Sequence, residues 1–247
     1  MALRNPENKQ PETPNIATKD IKEILNGDEE ASGRNKQVFG LEDFKLKLVF
    51  QNFDRDFESY AEVDGITDTW LVSQEFTQDG LTGKTGSVVG QYASDGNFAY
   101  GIEEHGWEEM LTKTVEMQEN IITQTKKGNG PASLCHDLRP ANIHVYEEEE
   151  TYQTKVIDVA DRNAIKEVDS SYQLDSRLSE AYAFMIEGKK DDQGGQKGII
   201  DYADEIGVSI EKEEAVDVLA ETSEYITEDI EYQEGGNLVS LLQFSMS

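Results

Sequence analysis

The chain has 247 residues, and 51 acidic residues against 22 basic ones give it a formal net charge of −29. Because such a surface repels phosphate backbones, direct binding to nucleic acid is not expected. A single cysteine, Cys135, excludes an intramolecular disulfide and a cysteine-rich zinc framework.

The acidic residues are spread along the whole sequence. This distribution favours a halophilic protein, adapted to a high-salt cytoplasm in which ions screen the repulsion between like charges. Two other interpretations stay open. Either the acidic surface binds a protein partner, for example as a mimic of DNA, or it only keeps the protein in solution.

The apolar runs in the sequence are short. The longest, such as Leu46–Phe50 and Val156–Ala160, are far below the roughly 20 residues that a helix needs to cross a bilayer. The segment from Met1 to Pro14 is polar and lacks the apolar core of a signal sequence. We therefore expect a cytoplasmic protein that does not bind membranes.

The first regular pattern is an alternation of apolar and polar residues along Phe44–Phe50. It predicts a half-buried strand with Lys45 and Lys47 on its solvent-facing side. A second strand is predicted at Thr69–Ser73. Glycines and other turn-forming residues then predict a loop at Gly80–Gly90.

Helical periodicity begins at Trp107–Gln124, where apolar residues recur on one stripe. Further along the chain, the patterns predict two short strands and three helices: strands Asn142–Tyr146 and Lys155–Val159, and helices Leu174–Ile186, Ile199–Ile206 and Glu213–Glu221. Strands thus precede most of the helices, which predicts an α+β fold with a strand-rich N-terminal part and a helical C-terminal part.

The most informative segment, Cys135–Val145, reads Cys-His-Asp-Leu-Arg-Pro-Ala-Asn-Ile-His-Val. It resembles the catalytic loop of protein kinases, H-R-D-L-x-x-x-N, with Asp137 on the catalytic Asp and Asn142 on the metal-binding Asn. Further along, Val156–Ala160 resembles the strand that ends in D-F-G, and Asp158 falls on its magnesium-binding Asp. The aminoglycoside phosphotransferases, which are relatives of the kinases, have similar loops.

The resemblance implies a phosphotransferase that uses ATP and magnesium and acts on a hydroxyl group of a small molecule or a protein. Asp137 would orient the acceptor hydroxyl and accept its proton. Asn142 and Asp158 would supply oxygen ligands to magnesium. Arg139 would neutralise charge on the transferred phosphoryl group.

The resemblance covers about residues 69–190 and implies a protein-kinase-like, two-lobed fold. A flexible leader, residues 1–35, which hold three of the five prolines, would precede a reduced strand-rich N-terminal lobe at 36–74. The helical C-terminal lobe would span 75–247. Glu75 falls on the acidic hinge between the lobes. Lys47, or alternatively Lys45 on the same strand, would take the place of the phosphate-pairing lysine. Glu75 and Lys47 are therefore expected to bind the nucleotide.

The resemblance also implies a specific geometry. Asn142–Val145 should pair antiparallel with Lys155–Ile157, because this hairpin would bring Asn142 and Asp158 into one cleft with Asp137. The helix Trp107–Gln124 should pack against the hairpin.

Two features of the kinase family are missing from the sequence before the hinge, the G-x-G-x-x-G loop and the V-A-I-K strand. Two alternatives to an active phosphotransferase therefore remain. One is a pseudokinase-type protein, which has the same fold and binds a partner through its acidic surface. The other is a structural protein, for example of a virus particle, and its location would then be the virion.

Overall fold

A computed structural model describes residues 31–33, 36–40, 44–49, 63–67, 69–77, 85–126, 132–148, 151–157, 165–168, 170–188 and 196–225. The described residues divide into two compact units. The first lies within Met1–Asp54 and Trp70–Gln91, and the second within Arg55–Thr69 and Tyr92–Ser247. Helices and antiparallel strand pairs make up these units, which confirms the predicted α+β class.

Strands form the first unit, with these bounds: β1 Ala31–Gly33, β2 Lys36–Gly40, β3 Phe44–Val49, β4 Thr69–Thr77 and β5 Thr85–Tyr92. They make one five-stranded sheet in the order β1-β2-β3-β5-β4. The predicted strands at Phe44–Phe50 and Thr69–Ser73 are β3 and β4. Leu46 and Leu48 on β3 are buried, as the alternating pattern requires.

Two predictions for this unit are wrong. Lys47, predicted to face solvent, is only 4% exposed. β3 is an inner strand of the sheet, so side chains of β2 and β5 flank those of β3 on both faces. The second error is the loop predicted at Gly80–Gly90, because Thr85–Tyr92 is a strand in which Val88 and Val89 are fully buried. Burial of this valine pair outweighs the turn preference of the glycines beside it.

The predicted leader, residues 1–35, lies outside the described residues except for Ala31–Gly33, which form β1. The predicted lobe boundary between residues 74 and 75 falls inside β4, the strand that carries Glu75.

The second unit combines helices with short strands. The strands are β6 Gly96–Asn97, β7 Ala132–Cys135, β8 Ile143–Glu147, β9 Tyr152–Val156 and β10 Ile165–Val168; the helices are α1 Phe98–His105, α2 Trp107–Thr125, α3 Ser171–Glu187, α4 Ile199–Glu205 and α5 Lys212–Thr222. β6, β8 and β9 form one sheet with β8 in the centre, and β7 pairs separately with β10.

The β8–β9 hairpin has the predicted antiparallel pairing. Ile143 lies opposite Val156, and His144 lies opposite Lys155. Residues 63–67 extend along the other edge of β9, where the N–H of Val156 donates to the carbonyl of Gly65 over 2.8 Å. Both edges of β9 are therefore engaged.

Helix α2 packs against this hairpin, as predicted: the hydroxyl of Thr154 on β9 donates to the carbonyl of Lys113 over 2.9 Å. Of the predicted apolar stripe, Trp107 is only half-buried, and the other six residues are buried, namely Met110, Leu111, Val115, Met117, Ile121 and Ile122. On another side of α2, the Glu119 carboxylate accepts hydrogen bonds of 2.8 Å from the Ser223 hydroxyl and the Glu224 N–H, just beyond α5. α2 thus forms the centre of the second unit.

Helices α3, α4 and α5 occur where helices were predicted, with ends shifted by a few residues. Helix α1 was not predicted, although Asn97 caps it by accepting from the N–H of Tyr100 over 3.0 Å. None of the helices in the described ranges combines the length and the apolar character that a bilayer span requires.

Gly188 ends α3 with a φ of +69°, and a methyl group on its α-carbon would lie 2.0 Å from the carbonyl oxygen of Gln196. We expect Gly188→Ala to lower the free energy of unfolding by about 2–4 kcal/mol, because the strained backbone and the clash both oppose folding. Urea denaturation monitored by circular dichroism measures this loss.

Gly207→Ala is the matched control, because Gly207 has a φ of +80° but no atom of a described residue lies within 4 Å of the added methyl group. Only the backbone term applies there, about 1 kcal/mol. If the two variants lose the same free energy of unfolding, the close approach of Gly188 to the carbonyl of Gln196 is contradicted.

Candidate functional site

The loop that resembles a catalytic loop begins where β7 ends, and both edges of β7 are occupied. One edge pairs with β10. Along the other, the amide of Gln118 on α2 donates to the carbonyl of Cys135 and accepts from its N–H, each over 2.9 Å. The hydroxyl of Thr125, also on α2, accepts from the N–H of Ser133 over 2.8 Å. Side chains of α2 thus provide this edge of β7 with the hydrogen bonds that a neighbouring strand would otherwise provide.

The backbone of the loop is held by burial and by hydrogen bonds. Leu138 is fully buried, and Pro140–Asn142 form a short 3₁₀ turn. The N–H of Asn142 donates to the carbonyl of Arg139 over 2.8 Å, and its side-chain amide donates to the carbonyl of Asp137 over 3.1 Å. Asn142 is therefore the residue that fixes the path of the loop.

Asp137 and Arg139 form a two-point ion pair. The guanidinium Nε donates to Oδ1 of Asp137, and Nη2 donates to Oδ2. The two side chains are 20% and 21% exposed, so the pair lies at the surface with restricted access to water. Bidentate pairs of this kind are stronger and more directional than single-contact ion pairs.

Asn142 also connects the loop to the end of β9. Its carbonyl accepts from the N–H of Ile157 over 2.9 Å, which extends the β8–β9 ladder by one bond. Asp158 follows Ile157 in the sequence and lies outside the described residues. Since the Asn142 side chain donates through Nδ2, its Oδ1 is left as an acceptor, and no described residue donates a hydrogen bond to it.

Three of the predicted site residues, Asp137, Arg139 and Asn142, therefore come together in the second unit. Lys47 and Glu75 belong to the first unit, on β3 and β4. The predicted approach of Asn142 to Asp158 stays a prediction.

His136 is not among the predicted site residues, yet its half-buried side chain, 16% exposed, packs against α3. Its ring meets Phe184 of α3 edge to face at 5.9 Å, and its Nε2 lies 3.8 Å from a carboxylate oxygen of Glu180. Its Nδ1 is buried, and no described residue forms a hydrogen bond with it. Burial lowers the pKa of His136, and the nearby Glu180 carboxylate partly opposes that effect.

Gln118 was missed as well, although the sequence contains a signal for it. It lies at helical spacing within the apolar stripe of α2 and is fully buried. A polar residue in such a stripe needs a buried hydrogen-bond partner, and here the partner is the main chain of Cys135. The spacing identifies the polar residue but not its partner.

Among the described residues, no three His, Cys, Asp or Glu side chains are grouped so that they would hold a metal ion. No protein-family model and no curated protein sequence matches this chain. The functional assignment therefore depends on the residues of this loop.

Replacing Gln118 tests how β7 is held. We expect Gln118→Ala to lower the free energy of unfolding by about 2–4 kcal/mol, because it removes both hydrogen bonds that Gln118 makes to the buried main chain of Cys135, at roughly 1–3 kcal/mol each. Chemical denaturation measures the change.

Gln124→Ala, at the exposed end of the same helix, is the control, because Gln124 also makes two hydrogen bonds, to the N–H and the carboxylate of Asp64, but makes them at the surface. Water can replace these exposed hydrogen bonds, so the variant should cost less than about 1 kcal/mol. If both variants lose the same amount, the double hydrogen bond of Gln118 does not stabilise the site.

The lowered pKa of His136 predicts that the stability of the protein depends on pH. Because its pKa is lowered on folding, the stability that neutral His136 contributes is present above the ordinary value of 6.5 and is lost as the pH falls through the lowered value. Between about pH 7.5 and about pH 5, we therefore expect the melting temperature of His136→Gln to fall less than that of the wild type. Parallel curves for the two proteins would contradict this role of His136.

Proposed function

We propose that this protein is an ATP- and magnesium-dependent phosphotransferase of the protein-kinase-like type that acts on a hydroxyl acceptor. The observation that carries the proposal is the gathering of Asp137, Arg139 and Asn142 in one loop whose last residue is hydrogen-bonded to Ile157. A carboxylate, a guanidinium and an amide oxygen at one place are the groups that phosphoryl transfer requires of a protein.

Magnesium would be held by the Oδ1 atom of Asn142 and the carboxylate of Asp158. Two observations support this: Oδ1 receives no hydrogen bond from the described residues, and Ile157, directly before Asp158, is bonded to Asn142. Magnesium binds hard oxygen ligands, and in such sites one or two protein ligands join waters and phosphate oxygens. Bound magnesium would neutralise charge on the phosphates.

Within this proposal, the residues of the loop do the proton transfer and the orientation. Asp137 orients the acceptor hydroxyl and accepts its proton as the hydroxyl oxygen forms its bond to the γ-phosphorus. The bond from that phosphorus to ADP breaks, and ADP leaves with the electron pair. Arg139 offsets the negative charge on the phosphoryl oxygens during transfer.

The kinase resemblance assigns nucleotide binding to two residues of the first unit, Lys47 on β3 for the phosphates and Glu75 on β4.

A second candidate function is a pseudokinase-type binding protein that does not transfer phosphate. The specific observation in its favour is the Asp137–Arg139 pair, because a carboxylate with both oxygens engaged is poorly placed to accept a proton. Its partner would be a protein that recognises the acidic surface.

A thermal-shift titration tests nucleotide binding. We expect magnesium with ATP to raise the melting temperature, with a stabilisation of about 2.7 kcal/mol at 100 times the dissociation constant. Asn142→Ala and Asp158→Asn should remove the part that depends on magnesium. Asp204→Asn, which removes an exposed carboxylate of α4, is the control and should leave the shift unchanged.

The same preparation tests phosphoryl transfer. Asp137→Asn should retain nucleotide binding and lose ATP turnover, measured as release of ADP with a panel of hydroxyl acceptors. Binding without turnover in the wild type would favour the pseudokinase-type protein. The absence of any nucleotide-dependent shift in a folded protein would reject both candidates and favour a structural role.

A further inference from the structure

In the loop, the carboxylate of Asp137 and the guanidinium of Arg139 bind each other. The edge of the guanidinium formed by Nε and Nη2 faces both carboxylate oxygens of Asp137. That edge is also the one that binds two oxygens of a phosphate group. As long as the pair is closed, the carboxylate is engaged and this phosphate-binding edge is filled.

The backbone of the loop is held in place, so movement of the backbone does not separate the two side chains. Leu138, between the two residues, is fully buried. Asn142 holds the carbonyl of Asp137 with its side chain and the carbonyl of Arg139 with its N–H. Pro140 restricts Arg139 to the extended conformation, which is observed at φ −68° and ψ 144°. Opening therefore requires only rotation of side chains, and the long arginine side chain rotates more easily than the backbone moves.

An oxyanion of the phosphate class can take the place of Asp137. It offers the guanidinium two oxygens in the same bidentate geometry as a carboxylate, and a polyphosphate carries more charge than one carboxylate. In a chain with a net charge of −29, the overall field opposes the binding of an anion, so binding depends on a local cation such as Arg139.

We propose that the Asp137–Arg139 pair is an autoinhibitory latch that a phosphate-bearing ligand opens, in that the phosphate group binds Arg139 and thereby releases the Asp137 carboxylate. This inference rests on the function proposed above and adds its regulation: the base becomes available only when a phosphate group is in the site. The ligand class is a phosphate ester or polyphosphate, and recognition of the phosphate by Arg139 does not require magnesium.

Pyrophosphate without magnesium is the probe. Isothermal titration at constant ionic strength, with a chelator present, compares the wild type with Asp137→Asn, which removes the internal competitor of the phosphate. We expect Asp137→Asn to bind pyrophosphate at least about tenfold more tightly than the wild type. Adding Arg139→Gln to that variant should abolish the gain, because the gain depends on the released guanidinium.

Asp204→Asn controls for the loss of one negative charge and should bind as weakly as the wild type. The latch proposal is contradicted if Asp137→Asn binds pyrophosphate no more tightly than this control. It is also contradicted if the gain in pyrophosphate affinity persists after Arg139→Gln is added.

A second measurement keeps the test valid should Asp137→Asn fail to fold. In the wild type, the Nε–Hε resonance of Arg139, identified by its loss in Arg139→Gln, should shift when millimolar pyrophosphate is added. A resonance that does not move would overturn the latch.

The two proposals fail in different ways. Normal binding of ATP with magnesium, without a gain in Asp137→Asn, rejects the latch alone. A gain in pyrophosphate binding without any binding of ATP with magnesium rejects the phosphotransferase and leaves Arg139 as a phosphate-binding residue.

Discussion

The amide of Gln118, buried in α2 and hydrogen-bonded twice to the main chain of Cys135, is the contact on which the position of the candidate site depends. It sets where β7 ends, and the loop starts at that point. With Thr125, it ties a central helix to a short strand that has one strand neighbour, β10, among the described residues. Because both hydrogen bonds are buried, losing this contact costs more than losing one exposed hydrogen bond.

Beyond β7, the loop combines a rigid backbone with adjustable side chains. Asn142 bonds to the main chain of Asp137, of Arg139 and of Ile157, so that one residue connects the loop with the end of the hairpin. Under the latch proposal, the ion pair on this frame is the part that changes without unfolding. The proposed phosphotransferase would use the fixed backbone to hold its ligands, and the latch would use the side chains to respond to an anion.

Much of the fold could be predicted from the sequence because its strongest patterns are local. The stripe of α2 and the alternation along β3 are periodic over enough residues to identify each element. Predictions failed where burial overrode local preference. The valine pair in β5 lies beside glycines that favour turns, and Lys47 looks solvent-facing by alternation but lies on an inner strand.

For the candidate site, the sequence by itself determined which residues lie within one loop, because Asp137, Arg139 and Asn142 are separated by only a few positions and a proline restricts the path between them. The tertiary structure decided how they are used. The pairing of Asp137 with Arg139, the burial of His136 against α3 and the support of Cys135 by Gln118 depend on which elements pack together. Side-chain partners that are distant in sequence leave no periodic signal, since contact between them requires the folded chain.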